Sequence, residues 1–169
     1  MKLSFLIFTV SILSFSCSNS SDSSSEDGTS DQIDKNLFTE ITSKSFTYYK
    51  GNAEITAARG NSPHGFIRTK FDSIAFSVLD ANQNLPSGKT FPNGSLIVKE
   101  VYTDANGSLK FYAVMKKNPA STVAGSGYEW AEFRANGETY FSTGKKGNGC
   151  ISCHSNSTNR DLVRTFDLH

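Results

Sequence analysis

The chain has 169 residues, a net charge of +1 and a hydrophobic fraction of 37%, which suit one folded domain with an export sequence and exclude disorder throughout. Its lysines and arginines form no dense run, so we expect no nucleic-acid partner. Of its three cysteines, one lies near the start and two lie close together near the end. This spacing indicates a targeting role for the first and a shared site for the other two.

Residues 1–17 have the pattern of a bacterial export signal. Lys2 precedes an apolar run that is too short to span a bilayer. Ser16 lies directly before Cys17, as in lipoproteins, where the cysteine receives lipid and becomes the N-terminus after cleavage. Leu13 stands one position further from the cysteine than in the usual lipobox, so a signal peptide cut nearby, with Cys17 incidental, is the alternative. We expect an exported cell-envelope lipoprotein, periplasmic or anchored at the outer membrane, that meets the membrane through its lipid alone.

Residues 18–35 are rich in serine and in acidic side chains. A segment of this composition buries too little apolar surface to fold alone, so we expect a disordered tether. The folded domain is then predicted to cover residues 36–169. Its first element is predicted as a helix over residues 36–49, because Leu37, Phe38 and Ile41 recur at helical spacing and would place their apolar side against the domain.

From Gly60 onward the sequence has the turns of an antiparallel sheet. Asn-Gly pairs favour tight turns between strands because both residues tolerate positive φ, and they occur at residues 93–94, 106–107 and 136–137. Runs with strand composition lie at residues 65–71, 95–103, 108–116, 127–134 and 138–142. A short helix is predicted over residues 72–79. The prediction is an α+β domain, mostly antiparallel β-sheet with a few helices.

Cys150, Cys153 and His154 form the sequence Cys-Ile-Ser-Cys-His, which is typical of covalent haem attachment. Two thiols at this spacing can add across the vinyl groups of a haem, and the adjacent imidazole can bind the iron. We therefore predict a fold packed around a covalently bound haem c, with His154 as the iron ligand. Export supports this prediction, since c-type haem is attached outside the cytoplasm.

Three other interpretations of these residues stay open. A tetrahedral zinc site needs further ligands, and only His64 and His169 remain outside the motif. A thioredoxin-like dithiol motif would follow a strand in a β-α-β unit, which the predicted elements lack. A structural disulfide would suit an oxidising compartment but would leave His154 unexplained.

The position of the motif bears on the second axial ligand of the iron. In ordinary small electron-transfer cytochromes a methionine downstream supplies that ligand, but no methionine follows His154. Met115 lies in a predicted strand, where core packing is the commoner role for methionine. We therefore favour an open distal position, which suits small-molecule chemistry or gas binding.

Lys99 and Glu100 interrupt an otherwise apolar strand. Alternation places Lys99 on the face of Ile97 and Val101, where an ammonium group is costly unless it is paired or neutralised. The alternative is a lysine that reaches the sheet edge, next to an exposed Glu100.

Arg68 lies on the face of its strand opposite Ile67. It could bind a haem propionate, donate a hydrogen bond into the distal pocket or be a surface cation. His64, between a proline and a glycine, is interpreted as a loop residue, with contact to the iron or the distal pocket as the alternative.

Several motifs occur in a fixed order along the predicted domain. They are Ser62-Pro63-His64-Gly65-Phe66-Ile67-Arg68, Phe91-Pro92-Asn93-Gly94-Ser95-Leu96-Ile97-Val98-Lys99-Glu100, Tyr128-Glu129-Trp130, Cys150-Ile151-Ser152-Cys153-His154 and Asp161-Leu162-Val163. Together they resemble the cytochrome P-460 family over about residues 36–168. The resemblance implies a β-rich haem domain, commonly a homodimer, with five-coordinate iron. It also implies an oxidoreductase that oxidises hydroxylamine, a small nitrogen substrate, and passes the electrons to another cytochrome.

The resemblance also implies roles for two residues outside the haem motif. In characterised members of the family, a lysine from the strand that matches residues 98–100 is bonded to a haem meso carbon, and Lys99 falls on that position. Arg68 matches an arginine of the distal pocket. An extra covalent link from Lys99 to the haem and a substrate positioned by Arg68 are therefore expected.

One departure from the family favours alternatives. An approximate alignment places Tyr112 where a well-known member has a distal acid, so the usual base is missing. The related cytochromes c′-beta share the fold, lack the lysine link and bind nitric oxide or carbon monoxide. The alternatives are a protein that binds such a diatomic gas, with Lys99 merely structural, and an electron-transfer cytochrome with Met115 or His64 as second axial ligand.

Overall fold

The structure is a computed structural model, and it describes residues 25–60, 62–156 and 160–168. The predicted leader over residues 1–17, with Cys17, and residues 18–24 of the predicted tether lie outside the described residues. None of the helices in the described ranges is both long and apolar enough to cross a membrane.

Antiparallel strands form one sheet with short helices around it. The strands are β1 (Thr47–Tyr48), β2 (Thr56–Ala57), β3 (Phe66–Phe71), β4 (Leu96–Tyr102), β5 (Leu109–Lys117), β6 (Tyr128–Arg134) and β7 (Thr139–Phe141). The helices are α1 (Ser25–Ser43), α2 (Ser73–Phe76), α3 (Ile151–His154) and α4 (Thr165–Leu168), with 3-10 turns at Tyr49–Gly51 and Thr143–Lys145. The spatial order is β1, β3, β4, β5, β6, β7, and β2 pairs with β3 on the same edge as β1. The predicted α+β class is confirmed.

The main strands were predicted to within one residue at each end. These strands were predictable because α1 and the C-terminal segment cover the two faces of the sheet, which makes the strands rich in apolar residues, and because turn residues separate them. Residues 106–107 and 136–137 join β4 to β5 and β6 to β7, but residues 93–94 form a turn that precedes β4 and joins no two strands. The predicted helix over residues 72–79 is shorter, and it begins where the buried Asp72 caps it by accepting a hydrogen bond from the Ala75 N–H at 2.9 Å.

The predicted disordered tether over residues 18–35 is wrong from Ser25 onward, because α1 begins there. Asp34 is 2% exposed, and its Oδ1 accepts hydrogen bonds from the backbone N–H of Thr143 at 2.9 Å and from its hydroxyl at 2.6 Å. Residues 25–35 are too polar to fold alone, but they form part of α1 because contacts with the rest of the domain stabilise the helix. The helix also ends earlier than predicted, at Ser43, since residues 47–48 pair with the edge of β3.

Asp34→Ala is expected to lower the free energy of unfolding by about 3 kcal/mol, because the change leaves two donors of Thr143 without an acceptor in a buried place. Urea unfolding of the holoprotein measures the change. Asp31→Ala is the matched control, because Asp31 is an exposed acid of the same helix and its loss should cost less than about 0.5 kcal/mol. Equal effects of the two substitutions would contradict an anchoring role for Asp34.

Each face of the sheet has its own core. On the face that we call the outer face, α1 packs onto the sheet through a cluster of Leu37, Ile41, Leu96, Val98, Val114, Ala131 and Phe133. On the other face, the inner face, the core contains Tyr49, Phe71, Ala75, Leu85, Phe91, Ile97, Met115, Tyr128, Trp130 and Val163. Phe71, Phe91 and Phe166 stack there with ring centroids 6.1 to 6.4 Å apart. This core borders a cavity on the inner face.

Candidate functional site

A cavity of about 300 Å³ lies over the inner face of the sheet. Four of its lining residues stand in one row across four strands: Thr69 lies opposite Lys99, Lys99 opposite Ala113, and Ala113 opposite Glu132. Lys99 and Glu132 are two inter-strand spacings apart, so about 10 Å separates their Cα atoms. Antiparallel pairing thus brings a lysine and a glutamate that are distant in sequence into one space.

The predicted haem-attachment residues line the same cavity. Cys150 precedes α3, which contains Cys153 and His154, and all three residues contact the cavity. The backbone N–H of His154 donates to the Cys150 carbonyl at 3.1 Å, so one helical turn connects the two cysteines, which are three residues apart. No disulfide joins them. Gly149 has a φ of +90° and open space where a Cβ would lie, so a bound group can approach the backbone closely.

His154 is fixed in orientation by two contacts. Its Nδ1 lies 2.7 Å from the carbonyl oxygen of Leu162, and because a carbonyl only accepts, Nδ1 carries the proton. Its ring meets Trp130 edge-on, with centroids 5.0 Å apart. Burial lowers the pKa of His154 to about 4; the Leu162 bond opposes this shift, and the charges of Lys99 and Arg164 add to it. The neutral imidazole therefore carries its lone pair on Nε2, the nitrogen that can bind a metal.

Burial, with a contribution from the charge of Glu132, raises the pKa of Cys150 to about 11. The thiol therefore stays protonated at neutral pH. A zinc site needs further ligands beside the two cysteines, and the described residues contain no group of three or more His, Cys, Asp or Glu side chains placed to hold a metal ion.

Lys99 faces the cavity, as its alternation with Ile97 predicts, so the alternative position at the sheet edge is wrong. No carboxylate within the described ranges forms an ion pair with it. Burial, and then the positive charge of Arg164, lower the pKa of Lys99 to about 8. A fraction of the side chain is then a neutral amine near neutral pH, and a neutral amine is a nucleophile.

Arg68 does not line the cavity, and its predicted place in a distal pocket is wrong. It lies on the outer face opposite Glu100, and its Nη2 is 2.7 Å from Glu100 Oε2. It also donates to the Tyr102 hydroxyl and lies over the Tyr48 ring. Lys70 Nζ binds the other oxygen of Glu100 at 2.8 Å. Glu100 is therefore paired and only 5% exposed, contrary to the alternative of an exposed Glu100.

Tyr112 also lies on the outer face, opposite Glu100. Among the described residues that line the cavity, the only carboxylate is that of Glu132. Burial raises the pKa of Glu132, and the charge of Lys145 acts against that shift. Glu132 was not predicted as a site residue, although its alternation with Trp130 in the same strand was a signal for its place on the inner face.

His64 and Met115, the two alternatives for a second axial ligand, both line the cavity. The His64 ring packs against Phe111 with centroids 6.2 Å apart. Burial, and then the charges of Lys99 and His154, lower the pKa of His64 to about 3. Met115 is 7% exposed and belongs to the inner core, as predicted for a packing residue.

The comparison with protein families agrees with this arrangement. The family described as Cytochrome P460 matches residues 49–165, which is more than half of the chain and includes the cavity and the thiols. The chain belongs to the cytochrome P460 family. Membership makes it a c-type haem protein, as the resemblance in the sequence implied. No curated protein matches the chain significantly.

The residues of the cavity suit the haem of the P460 family. The thiols of Cys150 and Cys153 border one cavity together with a histidine whose tautomer leaves the lone pair on Nε2. Ile97, Met115 and Trp130 supply apolar wall for a porphyrin. We therefore assign this cavity as the candidate haem site.

Proposed function

We propose that the protein oxidises a small nitrogen compound such as hydroxylamine at a covalently bound haem c and passes the electrons to another cytochrome. The observation that carries the proposal is that the Lys99 amine borders the same cavity as Cys150, Cys153 and His154. A buried ammonium group without a partner costs free energy, and binding a diatomic gas does not require one. A haem with an extra covalent link requires a nucleophile at the cavity wall, which the Lys99 amine can supply.

In this proposal each residue of the cavity has one role. Cys150 and Cys153 would hold the haem through thioether bonds, formed by addition of each thiol to a vinyl group, and His154 would bind the iron through Nε2. The Lys99 amine would replace a hydrogen of a macrocycle carbon, and peroxide or dioxygen would be the oxidant that takes up the two electrons and two protons released. The haem, when bound, supplies the centre that accepts electrons. The Leu162 carbonyl keeps the imidazole in the tautomer that His154 needs for this role.

Glu132 is proposed to accept protons from the substrate. Oxidation of hydroxylamine releases protons as well as electrons, so a base at the cavity wall assists the reaction. Glu132 lies in the row of Lys99, whereas position 112, where the approximate alignment placed the distal acid, lies on the outer face. Its raised pKa makes its carboxylate a better proton acceptor than an ordinary exposed one.

Mass spectrometry of the proteolysed holoprotein, together with an assay of hydroxylamine oxidation with a cytochrome as electron acceptor, tests the proposal. We expect haem linked to Cys150, Cys153 and Lys99, and reduction of the acceptor that depends on hydroxylamine. Holoprotein without the Lys99 link and without turnover would overturn the enzymatic proposal.

Glu132→Gln is expected to lower the rate of hydroxylamine oxidation about 100-fold, because it removes the proton acceptor. The wild-type rate should fall as the pH falls through the raised pKa of Glu132, since protonation removes the base, and E132Q should lose this dependence. Glu129→Gln is the matched control: Glu129 lies on the same strand but on the outer face, where Asn118 binds it at 2.8 Å. Similar losses in both variants would contradict a role for Glu132 in the reaction.

The second candidate is binding of nitric oxide or carbon monoxide at unmodified five-coordinate haem. It is favoured by the outward position of Arg68 and Tyr112, which leaves the cavity without the predicted arginine donor. Two covalent links instead of three, no turnover and tight binding of carbon monoxide by the ferrous protein would support it. Six-coordinate, low-spin ferrous iron would instead indicate electron transfer with His64 or Met115 as a ligand.

A further inference from the structure

Arg164 lies on the cavity wall between two residues that are fixed in the interior. Val163 is 1% exposed and Thr165 is 3% exposed, so the backbone on both sides is held in place. The Arg164 side chain is half-buried and lines the cavity. Neither the sequence motifs nor the roles assigned above explain an arginine at this position.

The Arg164 guanidinium contains a donor that lacks an acceptor. Its Nε is shielded from solvent and has no hydrogen-bond partner in the described part of the chain. No carboxylate in the same described ranges lies within ion-pair distance of the side chain. A buried donor on a charged group is costly without an acceptor. An anion from outside the chain would remove that cost.

The cavity as a whole has an excess of positive charge. Its described lining contains Arg164 as a permanent cation, Lys99 as a group that is cationic while its amine keeps the proton, and Glu132 as the acid. The charge of Lys145 lowers the pKa of Glu132, against the larger effect of burial, but Lys145 does not line the cavity. The charge of Arg164 contributes to the lowered pKa values of Lys99 and His154, which indicates that these groups face one space. The missing partner is therefore an anion inside the cavity.

We propose that Arg164 binds a propionate carboxylate of the haem. This inference deepens the proposed haem site and rests on it. The planar guanidinium is the side chain that best matches a carboxylate, through two parallel N–H donors. Arg68 was a predicted candidate for this role, but Arg68 forms an ion pair with Glu100 on the outer face. A small oxyanion such as nitrite shares the chemistry of a carboxylate and is the competing occupant.

Infrared spectra of holoprotein whose haem propionates carry ¹³C at the carboxyl carbon test this proposal. Covalent haem content is measured first on the same samples, so loss of the haem site and loss of the Arg164 contact are distinguished. In Arg164→Met we expect the midpoint pH for ionisation of one labelled propionate to rise by about 1 to 3 relative to wild type, because a buried carboxylate loses its cation. Arg164→Gln is a second uncharged variant in case R164M does not fold.

Two further variants complete the test. Arg164→Lys keeps the positive charge and should give a midpoint between wild type and R164M. Arg160→Met is the matched control, because Arg160 lies in the same segment but donates to the Leu85 carbonyl at 2.7 Å and does not line the cavity. Unchanged propionate ionisation in a fully loaded R164M protein would overturn the proposal. It would also be overturned if the loss of Arg164 weakened the binding of added nitrite and left the ionisation of the propionates unchanged.

Discussion

The variant C150A/C153A, matured in a host that attaches haem c, is expected to contain no haem that resists extraction with acidified acetone. Wild-type protein should retain its haem under the same treatment, because thioether bonds survive conditions that break the bond from iron to histidine. The single variant C153A keeps one thiol and should be loaded in lower yield. Haem content is measured from the pyridine haemochrome spectrum, and the linkage from the mass of the haem peptide.

Ser152→Ala is the control for the thiol variants. Ser152 lies between the two cysteines on α3 and is exposed, so its replacement changes the motif without removing a reactive group. Its haem yield should equal that of wild type. Extraction-resistant haem in C150A/C153A that is linked to neither position 150, position 153 nor Lys99 would show that a residue outside the cavity carries the attachment, and the assignment of the cavity would then fail.

Lys99→Leu is expected to retain covalent haem through the cysteines but to lose hydroxylamine oxidation by a factor on the order of 100, equivalent to about 2.7 kcal/mol in activation free energy. The amine is the nucleophile that the proposed third link requires, and leucine has a similar volume without that amine. The absorption spectrum should change as well, since the link alters the macrocycle. Turnover with added hydroxylamine and the mass of the haem peptide measure the two effects.

Two controls test whether the effects of K99L come from loss of the amine, and not from loss of the charge or from removal of any lysine of the sheet. Lys99→Arg keeps a cation but cannot supply a neutral amine, so it should behave like K99L. Lys116→Leu removes a lysine that binds Glu40 at 2.8 Å and does not line the cavity, so turnover should be unchanged. An unaltered spectrum and rate in K99L would remove Lys99 from the mechanism.

The strands of this fold were predictable from two patterns, the alternation of side chains along each strand and the turn residues between strands. Alternation along the strands gave their faces, and it placed Lys99 with Ile97 as the structure does. The start of α1 was not predictable from composition, because its stability depends on the bond from Asp34 to Thr143, more than a hundred residues away. A local pattern contains no information about such a partner.

The candidate site was predictable only where its residues are close in sequence. Cys150, Cys153 and His154 form a motif, whereas Glu132 and Arg164 join them through pairing register and the path of the C-terminal segment. Arg68 was misplaced for the same reason. The connection from β3 to β4 is long, so the sequence did not reveal that Arg68 would lie opposite Glu100, on the side away from the cavity.

The early start of α1 sets how far the domain could stand from a membrane. We propose from the leader that Cys17 carries lipid. Residues 18–24 would then separate the lipid from the start of α1, and these seven residues span about 25 Å at most when fully extended. The bonds from Asp34 to Thr143 tie the helix to the body of the domain at residue 34, so unwinding of residues 25–33 could lengthen the tether but unwinding beyond them would break those bonds. With residues 25–33 unwound as well, the lipid anchor would stand no more than about 55 Å from Asp34, so electrons would leave to an acceptor that works close to the membrane surface.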